Sequence, residues 1–168
     1  MARNIVLIGF MGTGKSVVGQ ALAARLSCPF VDVDAAIEQA QGRPIRTIFA
    51  EDGEAAFRQA ERAMIRQATQ RAGQVIAAGG GAVMDDANAA ALTQSGWLVW
   101  LKAAPDVILQ RIGNPLSRPL LNVPDPKARM AELLALREAT YAKADAVVDT
   151  THRTVEQVVD DILKVKPW

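Results

Sequence analysis

Gly9-Phe10-Met11-Gly12-Thr13-Gly14-Lys15-Ser16 stands directly behind the apolar run Ile5-Val6-Leu7-Ile8 and directly ahead of a helical period from about Lys15 to Leu26. No other stretch limits the fold as strongly. The spacing is G-x-x-x-x-G-K-S in a strand–loop–helix context. Its glycines let the backbone curl until successive N–H groups face one anion, and the helix N-terminus adds partial positive charge. Lys15 then reaches toward the β- and γ-phosphates of a nucleotide, and the Ser16 hydroxyl is placed to ligate Mg²⁺. The motif fixes nucleotide binding but not the reaction.

Strand-length apolar runs alternate with helical periods along the rest of the chain. After Ile5–Ile8 come Phe30–Val33, Val75–Ala78, Trp97–Leu101 and a weaker run at Ala146–Val148. Helical patterns lie at Ala36–Ala40, Glu54–Ala72, Ala87–Leu92, Asp106–Ile112, Lys127–Ala142 and Val155–Val165. The runs are apolar throughout rather than alternating, as when helices cover both faces of a parallel sheet. The expectation is a doubly wound α/β fold: a five-stranded parallel sheet flanked by helices in three layers, one domain over 1–168. Trp97 and Trp100 belong to its core. The Pro- and Gly-rich stretch from Gly113 to Pro126 predicts a long loop, with a lid over about 112–126.

The chain's 168 residues suffice for a buried core, and half of them are hydrophobic. Nineteen Lys plus Arg against 18 Asp plus Glu leave a net charge of +1, without the basic excess of a general nucleic-acid binder. The lone Cys28 forms no internal disulfide, and no Cys/His cluster has zinc-ligand spacing. No apolar run has spanning length and no signal-type cleavage site follows the N-terminus, so the expected compartment is the cytoplasm, without membrane attachment. No heptad run is evident, which makes a monomer the default.

Ligands of an open α/β sheet sit at the carboxyl ends of its strands. Asp32 and Asp34 end the second run two residues apart, so in an extended chain both point to one side. Either they cap the next helix, or one holds a magnesium-bound water while the other orients or deprotonates an attacking hydroxyl. Gly79-Gly80-Gly81 follows the third run and is either a tight turn or a place where a ligand approaches the backbone closely. Arg58 and Arg137 lie on predicted helices; they are solvated charges or bidentate ligands for a carboxylate, and Glu61 is one turn from Arg58. Arg118 sits inside the predicted lid, where a basic residue closing over phosphates neutralises charge and excludes water. His152 has no evident partner.

These pieces together resemble the shikimate kinase family over nearly the whole chain. The matching segments are Gly9–Ser16, Val31-Asp32-Val33-Asp34 with Ile37-Glu38, Gly42 through Ile48-Phe49, and Gly53-Glu54 with Phe57-Arg58 and Glu61. Gly79-Gly80-Gly81, Arg111, Arg118-Pro119-Leu120-Leu121 and Arg137 with Tyr141 continue the series. The resemblance implies ATP-dependent phosphorylation of the 3-hydroxyl of shikimate, on the way to chorismate and the aromatic amino acids. It implies that Gly12, Thr13, Gly14, Lys15, Ser16 and Val17 hold the phosphates, and that Ser16, with Asp32 through water, holds Mg²⁺. It further implies that Asp34, Arg58, Gly80 and Arg137 bind shikimate, with Glu61, Gly79 and Gly81 beside them, and that the acceptor-binding helices lie at about 34–61. Lys15, Asp34 and Arg118 would be catalytic, and Arg111 and Arg153 would lie near adenine. One departure stands: the family often has a proline after that last arginine, whereas Val155 follows Thr154 here. The rivals are a gluconate-type kinase and a nucleotide-dependent switch, although no N-K-x-D guanine signature is present.

Overall fold

The computed structural model describes residues 3–168. Its elements are β1 (Asn4–Ile8), α1 (Lys15–Leu26), β2 (Phe30–Asp32), α2 (Val33–Gln41), α3 (Ile45–Asp52), α4 (Glu54–Ala68), β3 (Val75–Ala77), α5 (Asp86–Ser95), β4 (Gly96–Lys102), α6 (Pro105–Ile112), α7 (Pro126–Tyr141), β5 (Ala146–Asp149) and α8 (Val155–Val165). The strands form one sheet in the order β2-β3-β1-β4-β5, every pair parallel. The doubly wound arrangement expected from the apolar strand runs is therefore present.

Alternation along the central strands divides the core in two. Val6, Ile8, Leu98 and Trp100 face the cluster that includes Ile37, Ile65, Leu92, Ile108, Met130 and Tyr141 of α2 and α4–α7. Ile5, Leu7, Trp97, Val99 and Leu101 face the opposite cluster, with Val18 and Leu22 of α1 and Val159 and Ile162 of α8. Both tryptophans are buried, at 5% and 8% exposure, as packing residues. Winding runs from β1 toward β2 in one direction and from β3 to β4 in the other. The order reverses at β1, and the crevice at such a switch point is where a doubly wound sheet binds its ligand. The loop leaving β1 is Gly9–Gly14.

Four local features differ from expectation. β2 stops at Asp32, and Val33 already belongs to α2, so Asp32 and Asp34 are not neighbours on a strand. Asp32 is the N-cap of α2, accepting the Ala35 N–H at 3.1 Å, and Asp34 lies in the helix's first turn. Helix α3 was not foreseen. It is short, opens behind Pro44 and closes at Gly53, whose φ of 86° lies in the region that favours glycine. Third, the 112–126 segment is not a plain loop: Pro115–Ser117 and Pro119–Leu121 each form a 3₁₀ turn, and Leu121 is fully buried. α4 also ends at Ala68, where Thr69 caps it, rather than at Ala72. Among the described residues, no helix is long and apolar enough to cross a membrane.

Candidate active site

The phosphate loop needs glycine at its entry. Gly9 has a φ of 141°, and a Cβ there would lie 2.3 Å from the Leu101 carbonyl oxygen. Gly14, at φ 98°, is the N-cap of α1 and offers no side chain to its first turn, which also lacks an acidic residue. The N–H groups of that turn are thus left for an external anion. Lys15 arches back over the loop, its Nζ donating to the Gly9 carbonyl at 2.7 Å and the Phe10 carbonyl at 2.9 Å. Burial lowers its pKa from 10.5 to about 8, against the opposing pull of Asp34 and Asp32. The Ser16 hydroxyl donates to the Asp32 carboxylate. Two hard oxygen donors side by side at the phosphate loop suit a small cation that arrives with phosphates and keeps most of its water. No group of three or more His, Cys, Asp or Glu among the described residues is arranged to hold a metal.

The loop is braced from behind by residues of two other elements. Arg111, near the end of α6, donates to the Thr150 carbonyl at 2.6 Å and the Thr150 hydroxyl at 2.9 Å, and reaches the Gly12 carbonyl at 3.4 Å. The buried Thr150 in turn donates to the Thr13 carbonyl at 3.0 Å. Sequence reasoning missed Thr150, whose only signal was its place immediately after β5. Arg153, three residues on, is not brought to this group; its guanidinium is paired with Asp161 of α8.

In front of the loop lies a cavity of about 350 Å³. Asp34, Arg58, Glu61, Gly79, Gly80, Gly81, Arg118 and Arg137 form its polar side, while Met11, Phe49, Phe57 and Pro119 form an apolar wall. These polar groups converge from five segments: Asp34 from α2, Arg58 and Glu61 from α4, the Gly79–Gly81 turn, Arg118 from the 112–126 segment and Arg137 from α7. Arg58 Nη1 donates to Glu61 Oε1 at 2.8 Å, one turn along α4, and Nη2 reaches Glu54 at 3.4 Å. Burial works against the Arg58 charge, but the Glu61 and Glu54 carboxylates outweigh it and raise its pKa. Arg137 projects from α7 across the Phe10 ring, 5.5 Å from its centroid.

The triple glycine makes this convergence possible. A Cβ on Gly79 would lie 2.8 Å from both Asp34 Oδ1 and Glu61 Oε2. On Gly81 it would meet the Arg58 guanidinium at 2.8 Å and Arg137 Nη2 at 3.1 Å. A plain tight turn would not need such clearance. Three buried polar atoms here lack any partner: Asp34 Oδ1, Glu61 Oε2 and Arg137 Nη1. Buried unpaired groups are rare because each forfeits its hydration, so a concentration of them marks groups set for a polar ligand. Asp34 pays most visibly. Burial and the neighbouring Glu61 raise its pKa from 3.8 to about 6, although Lys15 pulls the other way. Burial raises Glu61 as well, opposed by Arg58.

Arg118, from the 112–126 segment, lines both this cavity and the smaller one around Gly12, Gly14, Lys15, Ser16 and Val17. Asp32 and Asp34 also line both, so the two cavities adjoin across these side chains. A nucleotide anion over the loop and a hydroxylated anion against Asp34 and the two arginines would face each other across Gly80. Fold and pocket together define a small-molecule kinase of the phosphate-loop class. The "Shikimate kinase" family model matches residues 11–166, and the chain belongs to that family. It is 46% identical over 162 residues to shikimate kinase from Thermodesulfovibrio yellowstonii, covering 96% of this chain and 94% of the relative. It is 41% identical, at 96% and 95% coverage, to shikimate kinase from Caldanaerobacter subterraneus subsp. tengcongensis. Its structure superimposes on shikimate kinase from Acinetobacter baumannii in complex with shikimate with a TM-score of 0.95, at 35% identity, covering 98% of this chain and 93% of the other.

Proposed function

We propose that this chain transfers the γ-phosphate of ATP to the 3-hydroxyl of shikimate, giving shikimate 3-phosphate and ADP on the route to chorismate and the aromatic amino acids. The observation that carries this reading is the set of unpaired buried atoms on Asp34, Glu61 and Arg137 around Gly79–Gly81, beside the phosphate loop. Membership of the family supplies the substrate.

In this mechanism the Gly12–Val17 backbone and the first turn of α1 hold the phosphates. Lys15 leaves the Gly9 and Phe10 carbonyls to reach the β- and γ-phosphates. Arg58 and Arg137 receive the acceptor's carboxylate, and the Phe49–Phe57 wall lies against its ring. Asp34 takes the proton of the 3-hydroxyl as the oxygen–phosphorus bond forms and the bond from the γ-phosphorus to the β-bridging oxygen breaks. Arg118 neutralises charge on the transferring group and excludes water, the competing acceptor. Mg²⁺ held by Ser16 and, through water, by Asp32 would screen the phosphate charge. Arg111 acts from behind, setting the loop's carbonyls and lying beside the base. Action as a monomer in the cytoplasm belongs to the same proposal.

A coupled ADP-release assay with shikimate, gluconate and water as alternative acceptors tests the reading. Shikimate should be preferred by orders of magnitude; equal turnover of gluconate, or slow hydrolysis that no acceptor stimulates, would overturn it. Arg58→Ala should raise the KM for shikimate about 10–100-fold while the KM for ATP stays within about twofold, the loss of a charged hydrogen bond at one site only. An unchanged shikimate KM would make Arg58 a surface charge.

The pH profile has a definite sign. Asp34 must be unprotonated to accept a proton, and its pKa is raised to about 6. Lys15 must be charged, and its pKa is lowered to about 8. kcat/KM should therefore fall below about pH 6 and again above about pH 8, giving a bell. A flat profile between about pH 5 and about pH 9 would remove both assignments.

A further inference from the structure

The Gly79–Gly81 turn carries no side chains with which to hold its own shape, yet the acceptor is to be placed against it. Two of its carbonyls are taken by the turn itself, Gly79 by the Ala82 N–H at 3.0 Å and Gly81 by the Met84 N–H at 3.1 Å. The middle carbonyl, that of Gly80, accepts instead from the hydroxyl of Tyr141, some sixty positions away on α7. Tyr141 is 1% exposed, and its ring packs against Trp100 with centroids 5.7 Å apart. It follows Arg137 by one helical turn, so one helix face delivers both the proposed carboxylate ligand and this hydroxyl.

A phenylalanine would fill the same volume, so the hydroxyl is an addition that packing does not require. Burying it is acceptable because the Gly80 carbonyl accepts its hydrogen bond, while the Arg137 guanidinium lies beside its oxygen. Burial raises the phenol's pKa further than the nearby Arg137 and Arg58 charges lower it, which keeps the group a neutral donor. The peptide unit is planar and trans, so the Gly80 carbonyl and the Gly81 N–H point in opposite directions. Holding the carbonyl therefore also aims the Gly81 N–H. Gly80 stands at the seam between the two halves of the site: a Cβ there would lie 3.3 Å from Arg137 Nη1 and 3.4 Å from the Met11 nitrogen of the phosphate loop.

We propose that Tyr141 is a positioning residue for the acceptor: its hydroxyl sets the Gly80–Gly81 peptide, and through it the placement of the acceptor against the phosphate loop. This rests on the reading that the acceptor binds over Gly79–Gly81.

The test uses the full chain with Tyr141→Phe, which removes one oxygen and keeps the ring. The KM for shikimate should rise about tenfold, the size of one hydrogen bond, with the KM for ATP within about twofold of wild type. A packing role alone would lower Tm and leave both KM values in place; that result overturns the proposal. Tyr141 is the only tyrosine of the chain, so growth on 3-fluorotyrosine labels it uniquely, without a mutation that endangers folding. Its fluorine resonance should shift on titration with shikimate alone and stay in place with ADP alone; a resonance that ignores shikimate overturns the proposal too. The wild type is assayed in parallel. Failure of the wild type to phosphorylate shikimate defeats the proposed function, whereas an active wild type with an unaltered Tyr141→Phe KM defeats only this inference.

Discussion

Asp34→Asn should lower kcat at least ~100-fold, the scale of a lost positioned base, while the protein folds as before. The amide keeps the shape and the place in the first turn of α2 but cannot take the hydroxyl proton. Stability should move the other way. Asp34 has a pKa raised from 3.8 to about 6, burial being the main cause and Glu61 the next. A carboxyl whose folded pKa lies above its unfolded one binds its proton more tightly when folded. Its stabilising contribution is complete below the unfolded value and is lost as pH rises through the folded one. At pH 7 the ionised Asp34 is therefore a burden on the fold, and a neutral amide beside Glu61 Oε2 removes it. Tm at pH 7 should be unchanged or higher, and the difference from wild type should shrink as the pH falls from about 6 to about 4, below which wild-type Asp34 is protonated in both states. Steady-state rates near wild type would defeat the assignment of Asp34 as base.

Lys15→Ala should also lower kcat at least ~100-fold, the loss typical of a fixed charge facing the transferring phosphoryl group. Here the binding of ATP should suffer as well, because in the proposed mechanism the ammonium meets the β- and γ-phosphates in ground and transition states alike. Lys15→Arg is an informative companion. The Nζ sits between two carbonyl oxygens of a tight loop, at 2.7 and 2.9 Å, and a planar guanidinium is too wide for that place, so charge alone should not restore activity. Single-turnover measurement with saturating ATP separates the chemical step from binding, and a wild-type rate there for Lys15→Ala would remove the lysine from the mechanism.

Much of this architecture could be read from the chain. Strands buried on both faces announce themselves as unbroken apolar runs, and Ile5–Ile8 followed by the glycine-rich loop fixes the centre of the sheet. Asp32 and Asp34 were also identifiable, but for the wrong reason. Phe-Val-Asp-Val looks like a strand to its last residue because valine suits extended backbone. The helix begins inside it because Asp32 caps the Ala35 N–H. α3 escaped notice since its core contact rests chiefly on Ile48, and a segment so short gives the helical period little room to repeat. Thr150 carries no pattern at all; its role arises only when β5 and α6 bring it under Thr13. The Arg153–Asp161 pair is likewise a matter of how α8 turns relative to its preceding loop. The clearances at Gly79 and Gly81 depend on side chains from α2, α4 and α7, which no local reading assembles.

Asp32 serves two structures at once. One of its oxygens seals the start of α2, and the other meets Ser16 at the threshold of the phosphate loop. Asp34, the proposed base, stands two positions further along that helix. Whatever the arriving triphosphate does to Asp32 is thus transmitted, through a single rigid turn of backbone, to the group awaiting the alcohol. In the proposed mechanism, loading of one substrate and readiness for the other would share an axle.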